Sequence, residues 1–134
     1  MPVIDWDKRL SIGIAAVDEQ HKILIGQMND IALAAELLAR PSDLAVLLRK
    51  LRTDLRQHFD YEEKLMDPLA YPHYKLHRNE HIRSVELLGE YYDKLMAEQN
   101  FSLSSFLAYV VNFFHNHVVC SDQTLGDFVR EQSQ

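Results

Sequence analysis

Cysteine, basic leader segments and long apolar runs are scarce or missing in this chain. Cys120 is the single cysteine among 134 residues, so no disulfide can form within the chain, and we expect a reducing compartment. The first residues show no basic stretch followed by an apolar core, which argues against a signal peptide. No apolar run approaches the roughly 18 residues that a membrane span needs. These absences predict a soluble, cytoplasmic protein without a membrane span.

Positive charge is also in short supply. The formal net charge is -6, whereas a nucleic-acid-binding protein normally presents a basic field to phosphate. The local exception is the basic run Arg49, Lys50, Arg52 and Arg56, which we interpret as a solvated helix face because acidic residues surround it elsewhere. We therefore expect no nucleic-acid partner.

Glycine and proline are equally sparse, with four of each, which favours helices joined by short connections. The length falls within the range of one domain that buries a working core. No repeat, low-complexity segment or long internal linker divides the chain. We therefore predict a single domain over residues 1–134.

Helix-breaking prolines and helix-capping residues divide the chain into a predicted arm and four predicted helices. Residues 1–17 carry a mixed pattern and are predicted to form an extended arm, with Asp18 as the N-cap of the first helix. Pro41 interrupts that helix, and Ser42 is predicted to cap the second. The second helix is expected to stop near Pro68.

Two further helices follow the same logic. Tyr71 and Pro72 are predicted to open the third helix, which runs to about Met96, and Ser102 is a predicted cap for the fourth. Four helices of comparable length with short connections pack antiparallel. The pattern thus predicts an all-α fold, an antiparallel up-down-up-down four-helix bundle over residues 18–134, preceded by the arm.

Histidine is over-represented, with seven in the chain. His58 and Glu62 are four residues apart on the second helix, as are His77 and His81 on the third, so each pair shares a helix face. A single buried histidine is usually a hydrogen-bonded core residue. A buried glutamate, however, is costly without a partner. Two such pairs on adjacent helices favour a metal site.

The first and fourth helices offer three more candidates. His21 lies just inside the start of the first helix, and His117 and Asp122 lie on the fourth. A spacing of five residues leaves His117 and Asp122 about 140° out of line on a regular α-helix. They can serve one site only if the helix loosens or ends between them.

Taken in order, these fragments resemble the hemerythrin family in its bacterial single-domain form. The resemblance covers nearly the whole chain, and although each fragment alone is weak, the ordered set is specific. The fragments are Ile4-Asp5-Trp6-Asp7 through Leu10-Ser11-Ile12-Gly13, Asp18-Glu19-Gln20-His21, His58-Phe59-Asp60-Tyr61-Glu62-Glu63, His77-x-x-x-His81 and His117-x-x-x-x-Asp122.

The resemblance implies a non-haem di-iron centre that binds dioxygen reversibly. One iron would be held by His77, His81 and His117 and the other by His21 and His58, with Glu62, Asp122 and an oxo or hydroxo group bridging them. Five imidazoles and two carboxylates exceed the needs of one tetrahedral zinc, and mixed nitrogen and oxygen ligands suit iron. In this arrangement the two-histidine iron has an open position for dioxygen.

The chain departs from the commoner family pattern on the fourth helix, where Phe114 precedes His117 by three residues and Val118 follows it. Phe59, Phe114 and Val118 are expected to line an apolar oxygen pocket, with Ile25 beside them.

Four other residues with potential ligand atoms are predicted not to hold metal. Glu63 lies about 100° off the face of the neighbouring predicted ligand and should be solvated. His115 points away from the ligand two positions later. His73, at the start of the third helix, is expected to have a capping or outer role. Cys120 is expected to be a small buried filler rather than a redox group.

Several functions remain open at this stage. A carboxylate-rich di-iron oxidase would use paired Glu-x-x-His motifs, and no glutamate lies three residues before any histidine here, so no enzymatic activity is expected. An oxygen- or redox-sensing role would need a protein partner, since we expect no output domain beside the bundle, and a purely structural bundle is a further alternative. Oxygen carriage, storage or delivery is the preferred interpretation. The sequence leaves open a protein partner and a homo-oligomer.

Overall fold

The computed structural model describes residues 4–132, so residues 1–3 of the predicted arm and residues 133–134 lie outside the described part. Within residues 4–132 the structure contains helices and no strand, which confirms the all-α prediction. The helices are a short 3-10 helix Lys8–Leu10, α1 (Ala15–Glu36), α2 (Pro41–Met66), α3 (Tyr74–Ala97), α4 (Leu103–Asn116), a π-helical segment (His117–Asp122) and α5 (Gln123–Gln132).

The first helix begins earlier than predicted, because Asp18 has a different role. Helix α1 starts at Ala15 after an extended Ile14, so Asp18 lies within its first turn and is not the N-cap. The Asp18 carboxylate instead accepts hydrogen bonds from Ser11 Oγ at 2.6 Å and from the Ile12 backbone N–H at 2.9 Å. Asp18 therefore ties the arm to α1.

The start of α2 also differs from the prediction. Pro41 occupies the first helical position, where its missing N–H costs no hydrogen bond, and extended Arg40 precedes it. Ser42 consequently lies inside the helix rather than capping it. The cap of α4 is confirmed, because the Ser102 side chain accepts a hydrogen bond from the Ser105 backbone N–H at 3.2 Å.

The helices pack as the predicted bundle around one large apolar core, and a smaller apolar cluster of Met66, Tyr71 and Leu125 lies apart from it. Helix α2 packs against α1 and α3, and α4 packs against α1. The largest completely buried apolar side chains come from the arm, α1, α2, α4 and α5: Ile12, Leu24, Met28, Ile31, Leu51, Leu55, Met66, Phe106 and Leu125. Among the described residues, none of the helices combines the length and the apolar character needed to cross a membrane.

The arm also contacts α5. The Ile12 side chain is completely buried, and its carbonyl oxygen accepts a hydrogen bond from Arg130 Nη1. Gly126 allows this close approach, because a Cβ there would lie 2.2 Å from the Ile12 carbonyl oxygen. The arm thus connects α5 to α1, because the same segment is held by Asp18 on α1.

Candidate metal centre

The π-helical segment resolves the spacing problem between His117 and Asp122. The regular α4 ends at Asn116, and residues 117–122 adopt the wider π-helical turn, in which positions i and i+5 are paired. His117 Nε2 therefore lies 3.1 Å from Asp122 Oδ1, with both side chains buried. The helix loosens at the position where the sequence required it to do so.

The seven predicted ligands come together in one buried cluster at one end of the bundle. The helices run antiparallel, so the first half of α1, the last part of α2, the first part of α3 and the π-helical segment after α4 meet there. All seven side chains are buried. Their potential ligand atoms form two groups: His77, His81, His117, Glu62 and Asp122 in one, and His21, His58, Glu62 and Asp122 in the other.

The two carboxylates belong to both groups, and each divides its oxygen atoms between them. Glu62 Oε1 lies 3.0 Å from His81 Nε2 and 3.1 Å from His77 Nε2, whereas Oε2 lies 3.0 Å from His58 Nε2. This is the arrangement expected of a carboxylate that bridges two cations.

Asp122 divides its oxygens in the same way. Its Oδ1 lies 3.0 Å from His77 Nε2, and its Oδ2 lies 3.1 Å from His21 Nε2. Both Asp122 oxygens and Glu62 Oε2 are buried without a hydrogen bond of acceptable geometry among the described residues. Unsatisfied buried carboxylate oxygens are costly, so this donor set fits a pair of bound cations.

The imidazoles are oriented from outside the cluster. Three of them place Nδ1 at hydrogen-bond distance from an acceptor on a neighbouring helix: His58 to Gln20 Oε1 at 2.6 Å, His81 to Glu63 Oε2 at 3.0 Å and His117 to Glu80 Oε1 at 2.8 Å. With the proton on Nδ1, the lone pair of Nε2 points into the cluster. His81 Nε2 then faces His117 Nε2 at 3.1 Å, and a cation between such lone pairs removes their repulsion.

The electrostatics of the cluster also favour positive charge. Burial lowers the pKa of His21 and of His77, but the Asp122 and Glu62 carboxylates outweigh it and raise both pKa values to about 9. The same opposition of burial and carboxylates raises the pKa of His117 well above its ordinary value. Burial raises the pKa of Glu62 and Asp122, yet the surrounding imidazolium groups hold both below the usual range.

The predicted pocket residues lie against the cluster at different places. The Phe114 ring contacts His21 edge-on, with centroids 5.3 Å apart, and so lies beside the two-histidine group. The Phe59 ring stacks on His81 at 3.9 Å, which puts it over the three-histidine group. Val118 is completely buried. Phe114 and Phe59 therefore provide an apolar lining beside the two-histidine group and over the three-histidine group, respectively.

Two predictions about the neighbouring residues are wrong. Glu63 is not simply solvated: its side chain is 23% exposed and its carboxylate contacts His81 Nδ1, because the helix face next to Glu62 is turned toward α3. Cys120 is exposed rather than a buried filler, because the π-helical turn that carries it directs it outward.

His73 and His115 have the positions that the sequence predicted. His115 is exposed and belongs to neither ligand group among the described residues. His73 is also exposed, and its backbone forms the N-cap of α3, where its carbonyl accepts from the His77 N–H at 2.9 Å.

Sequence reasoning did not identify Gln20 and Glu80 as supporting residues. Each one is the immediate neighbour of a predicted ligand, His21 or His81, and therefore lies about 100° off the ligand face. Spacing along one helix gives no signal for a contact with the next helix, so only their adjacency to ligands could have drawn attention to them.

Comparison with known proteins gives a consistent result. The family model described as the hemerythrin HHE cation binding domain matches residues 12–129. A bacteriohemerythrin of Stenotrophomonas maltophilia (strain R551-3) is 25% identical over 130 residues, 97% of this chain and 84% of that protein. Another, from Ralstonia nicotianae, is 32% identical over 90 residues, 67% of this chain and 62% of that protein. A crystal structure of a hemerythrin mutant superposes with a TM-score of 0.88 at 22% identity, covering 95% of this chain and 97% of that chain.

Proposed function

Since the chain belongs to the hemerythrin family, we propose that it binds dioxygen reversibly at a pair of iron ions in the buried cluster. The observation that supports this most directly is the sharing of Glu62 and Asp122 between two ligand groups of unequal size. When bound, the two ions would supply the site for dioxygen and the electrons that its binding requires.

The proposed assignment follows the two groups. One iron would be held by His77, His81 and His117, and the other by His21 and His58, with Glu62, Asp122 and an oxo or hydroxo group between them. The two-histidine position has one protein ligand fewer, and this difference leaves a place for a small external ligand. Imidazole and carboxylate ligands together suit iron.

The surrounding side chains would protect the site. Phe114 is 3% exposed and its ring contacts His21, and Val118, the residue after His117, is completely buried, so these apolar side chains would keep water and anions from the cluster. Five imidazoles supply less negative charge than a carboxylate-rich set and stabilise high-valent iron less. Both features support oxygen carriage, storage or delivery rather than catalysis. The family match over residues 12–129 supports treating the chain as one domain, and the net charge of -6 supports a function without nucleic acid.

The test combines metal analysis with optical spectra. Protein loaded anaerobically with Fe²⁺ should contain two irons per chain, show almost no colour, gain a visible charge-transfer band in air and lose it when oxygen is removed. Zinc in preference to iron, or one iron per chain, would contradict the proposal. Immediate conversion to the ferric form, with repeated turnover of an added reductant, would favour a di-iron oxidase instead.

A pair of variants tests the bridging role separately. Glu62→Ala should lower the iron content at both positions, because each oxygen of Glu62 faces a different ligand group. Asp60→Ala is the matched control on the same helix, since Asp60 is 63% exposed and pairs with the exposed Lys64. Retention of one full equivalent of iron by Glu62→Ala would rule out the bridge.

A further inference from the structure

Three imidazoles of the cluster are supported by side chains from the preceding helix in the chain. Gln20 on α1 supports His58 on α2, Glu63 on α2 supports His81 on α3, and Glu80 on α3 supports His117 in the π-helical segment. Each supporting residue is the sequence neighbour of a predicted ligand on its own helix. The rotation of about 100° per residue turns it toward the next helix, so ligand and support alternate around the bundle.

The side chains that accept from the imidazole Nδ1 atoms differ in charge between the two ligand groups. Both carboxylates, Glu63 and Glu80, face imidazoles of the three-histidine group. The two-histidine group has only the neutral amide of Gln20, which faces His58. One imidazole of each group, His21 and His77, has a buried Nδ1 atom without a hydrogen-bond partner among the described residues, so the difference in charge comes from the three supported imidazoles.

Of the two carboxylates, Glu80 makes more hydrogen bonds to the segment that carries its imidazole. Its Oε1 accepts from His117 Nδ1 at 2.8 Å and from Ser121 Oγ at 2.8 Å, and its Oε2 lies 3.0 Å from the same hydroxyl. It thus ties two positions of the π-helical segment to α3. Glu63, in contrast, shares its charge with Arg78, whose Nε lies 3.3 Å from Glu63 Oε1.

We propose that Glu80 is a positioning residue that orients His117 and makes it a stronger electron donor, so that the three-histidine position prefers ferric iron more than the two-histidine position does. This inference rests on the proposed iron site. A carboxylate that accepts the Nδ1 proton raises the basicity of the opposite nitrogen, whereas a neutral amide does so less. The two positions are therefore unequal in charge support as well as in ligand number.

The experiment changes the charge of the supporting side chains at positions 80 and 20 while keeping their size and shape. Glu80→Gln retains an oxygen that can accept from His117 but removes the negative charge, and Gln20→Glu adds a charge beside His58. Glu90→Gln is the control, because Glu90 is exposed on the same helix as Glu80. Each iron-loaded variant is titrated anaerobically with dye mediators to obtain the potential of each one-electron step, and iron release to a ferrous chelator is timed.

Glu80→Gln should lose iron about 10- to 100-fold faster than the wild type, as expected for loss of a supporting carboxylate. A tenfold weaker preference for ferric iron would raise the potential of one step by about 59 mV. Gln20→Glu should lower the potential of the other step, and Glu90→Gln should match the wild type. Opposite signs at different steps are not expected from a general loss of packing.

Unchanged potentials in Glu80→Gln and Gln20→Glu, or shifts in the same direction, would overturn the inference. A wild type that lacks two irons would instead contradict the proposed function, so metal analysis of the wild type separates the two failures. Circular dichroism checks folding of every variant. If Glu80→Gln does not fold, Glu63→Gln takes its place, with the same expected direction of shift.

Discussion

At the scale of single residues, the lining of the cluster decides how long an oxygen-binding state would survive. Phe114 is buried at the end of α4, and its ring edge contacts His21 in the two-histidine group. Phe114→Ala would open a path for water and anions to that group. We expect irreversible oxidation of the iron-loaded protein to become at least several-fold faster, measured as decay of the oxygenated band in air.

Phe106→Ala is the matched control for this variant. Phe106 is completely buried on the same helix, and its ring packs against Tyr91 and Phe101, neither of which belongs to the cluster. Both substitutions should destabilise the fold by about 3–5 kcal/mol, the usual range for truncation of a buried phenylalanine. Equal oxidation rates in the two variants would show that the packing defect, and not access to His21, controls oxidation.

At the scale of elements, the contact between the arm and α5 depends on a glycine. A Cβ at Gly126 would meet the Ile12 carbonyl oxygen at 2.2 Å, and this neighbour is backbone that cannot rotate away. Gly126→Ala should therefore lower the free energy of unfolding by about 1–3 kcal/mol, as overpacking usually does. Chemical denaturation, with unfolding followed by circular dichroism, measures the effect.

Gly26→Ala is expected to have the opposite effect on stability. Gly26 lies within α1, and no atom lies within 4 Å of the position that its Cβ would occupy. Alanine should stabilise the helix there by about 0.5–1 kcal/mol, because glycine loses more conformational freedom on folding. Stabilisation by both substitutions would mean that the arm does not hold its place against α5.

At the scale of the whole molecule, metal-free and metal-loaded protein should respond to pH in opposite ways. His21 and His77 have pKa values of about 9 in the folded metal-free chain, above the unperturbed value of about 6.5. Their protonated forms stabilise the metal-free fold fully below pH of about 6.5. This contribution is lost as the pH rises through about 9, so the metal-free midpoint of thermal unfolding should fall over that interval.

Metal loading reverses the direction in which stability changes with pH, because metal-bound histidines must be deprotonated. Stability of the loaded protein should decrease as the pH falls below about 6.5, since protons compete with iron for the imidazoles. At a free iron concentration about 100 times Kd, binding should add about 2.7 kcal/mol. Anaerobic thermal melts of both forms at matched pH values measure the difference, and coinciding melts would contradict a metal site that is coupled to folding.

The spacing of residues in the sequence was sufficient to predict the helical bundle and the residues that cluster inside it. Spacings of four residues put His58 with Glu62 and His77 with His81 on shared faces, and short connections required antiparallel packing. Sparse glycine and proline favoured helices joined by short connections. The assignment of iron to these residues stays a prediction that metal analysis can check.

Some helix starts could not be predicted from the sequence, because a polar side chain near a helix start can either cap that helix or hydrogen-bond to another segment. Asp18 and Ser42 both have side chains suited to capping. Asp18 is instead engaged by the arm, and Pro41 already opens α2. Such competition between local and distant partners is settled only when the arm and the helices pack together.

Tertiary structure alone decided how the cluster is completed and supported. The π-helical turn brings Asp122 beside His117, although regular α-helical geometry would separate them. Gln20, Glu63 and Glu80 each support an imidazole on the next helix, and no pattern within one helix encodes that contact. The physical reason is that spacing fixes which face of its own helix a side chain occupies, whereas the packing of neighbouring helices fixes what that face meets.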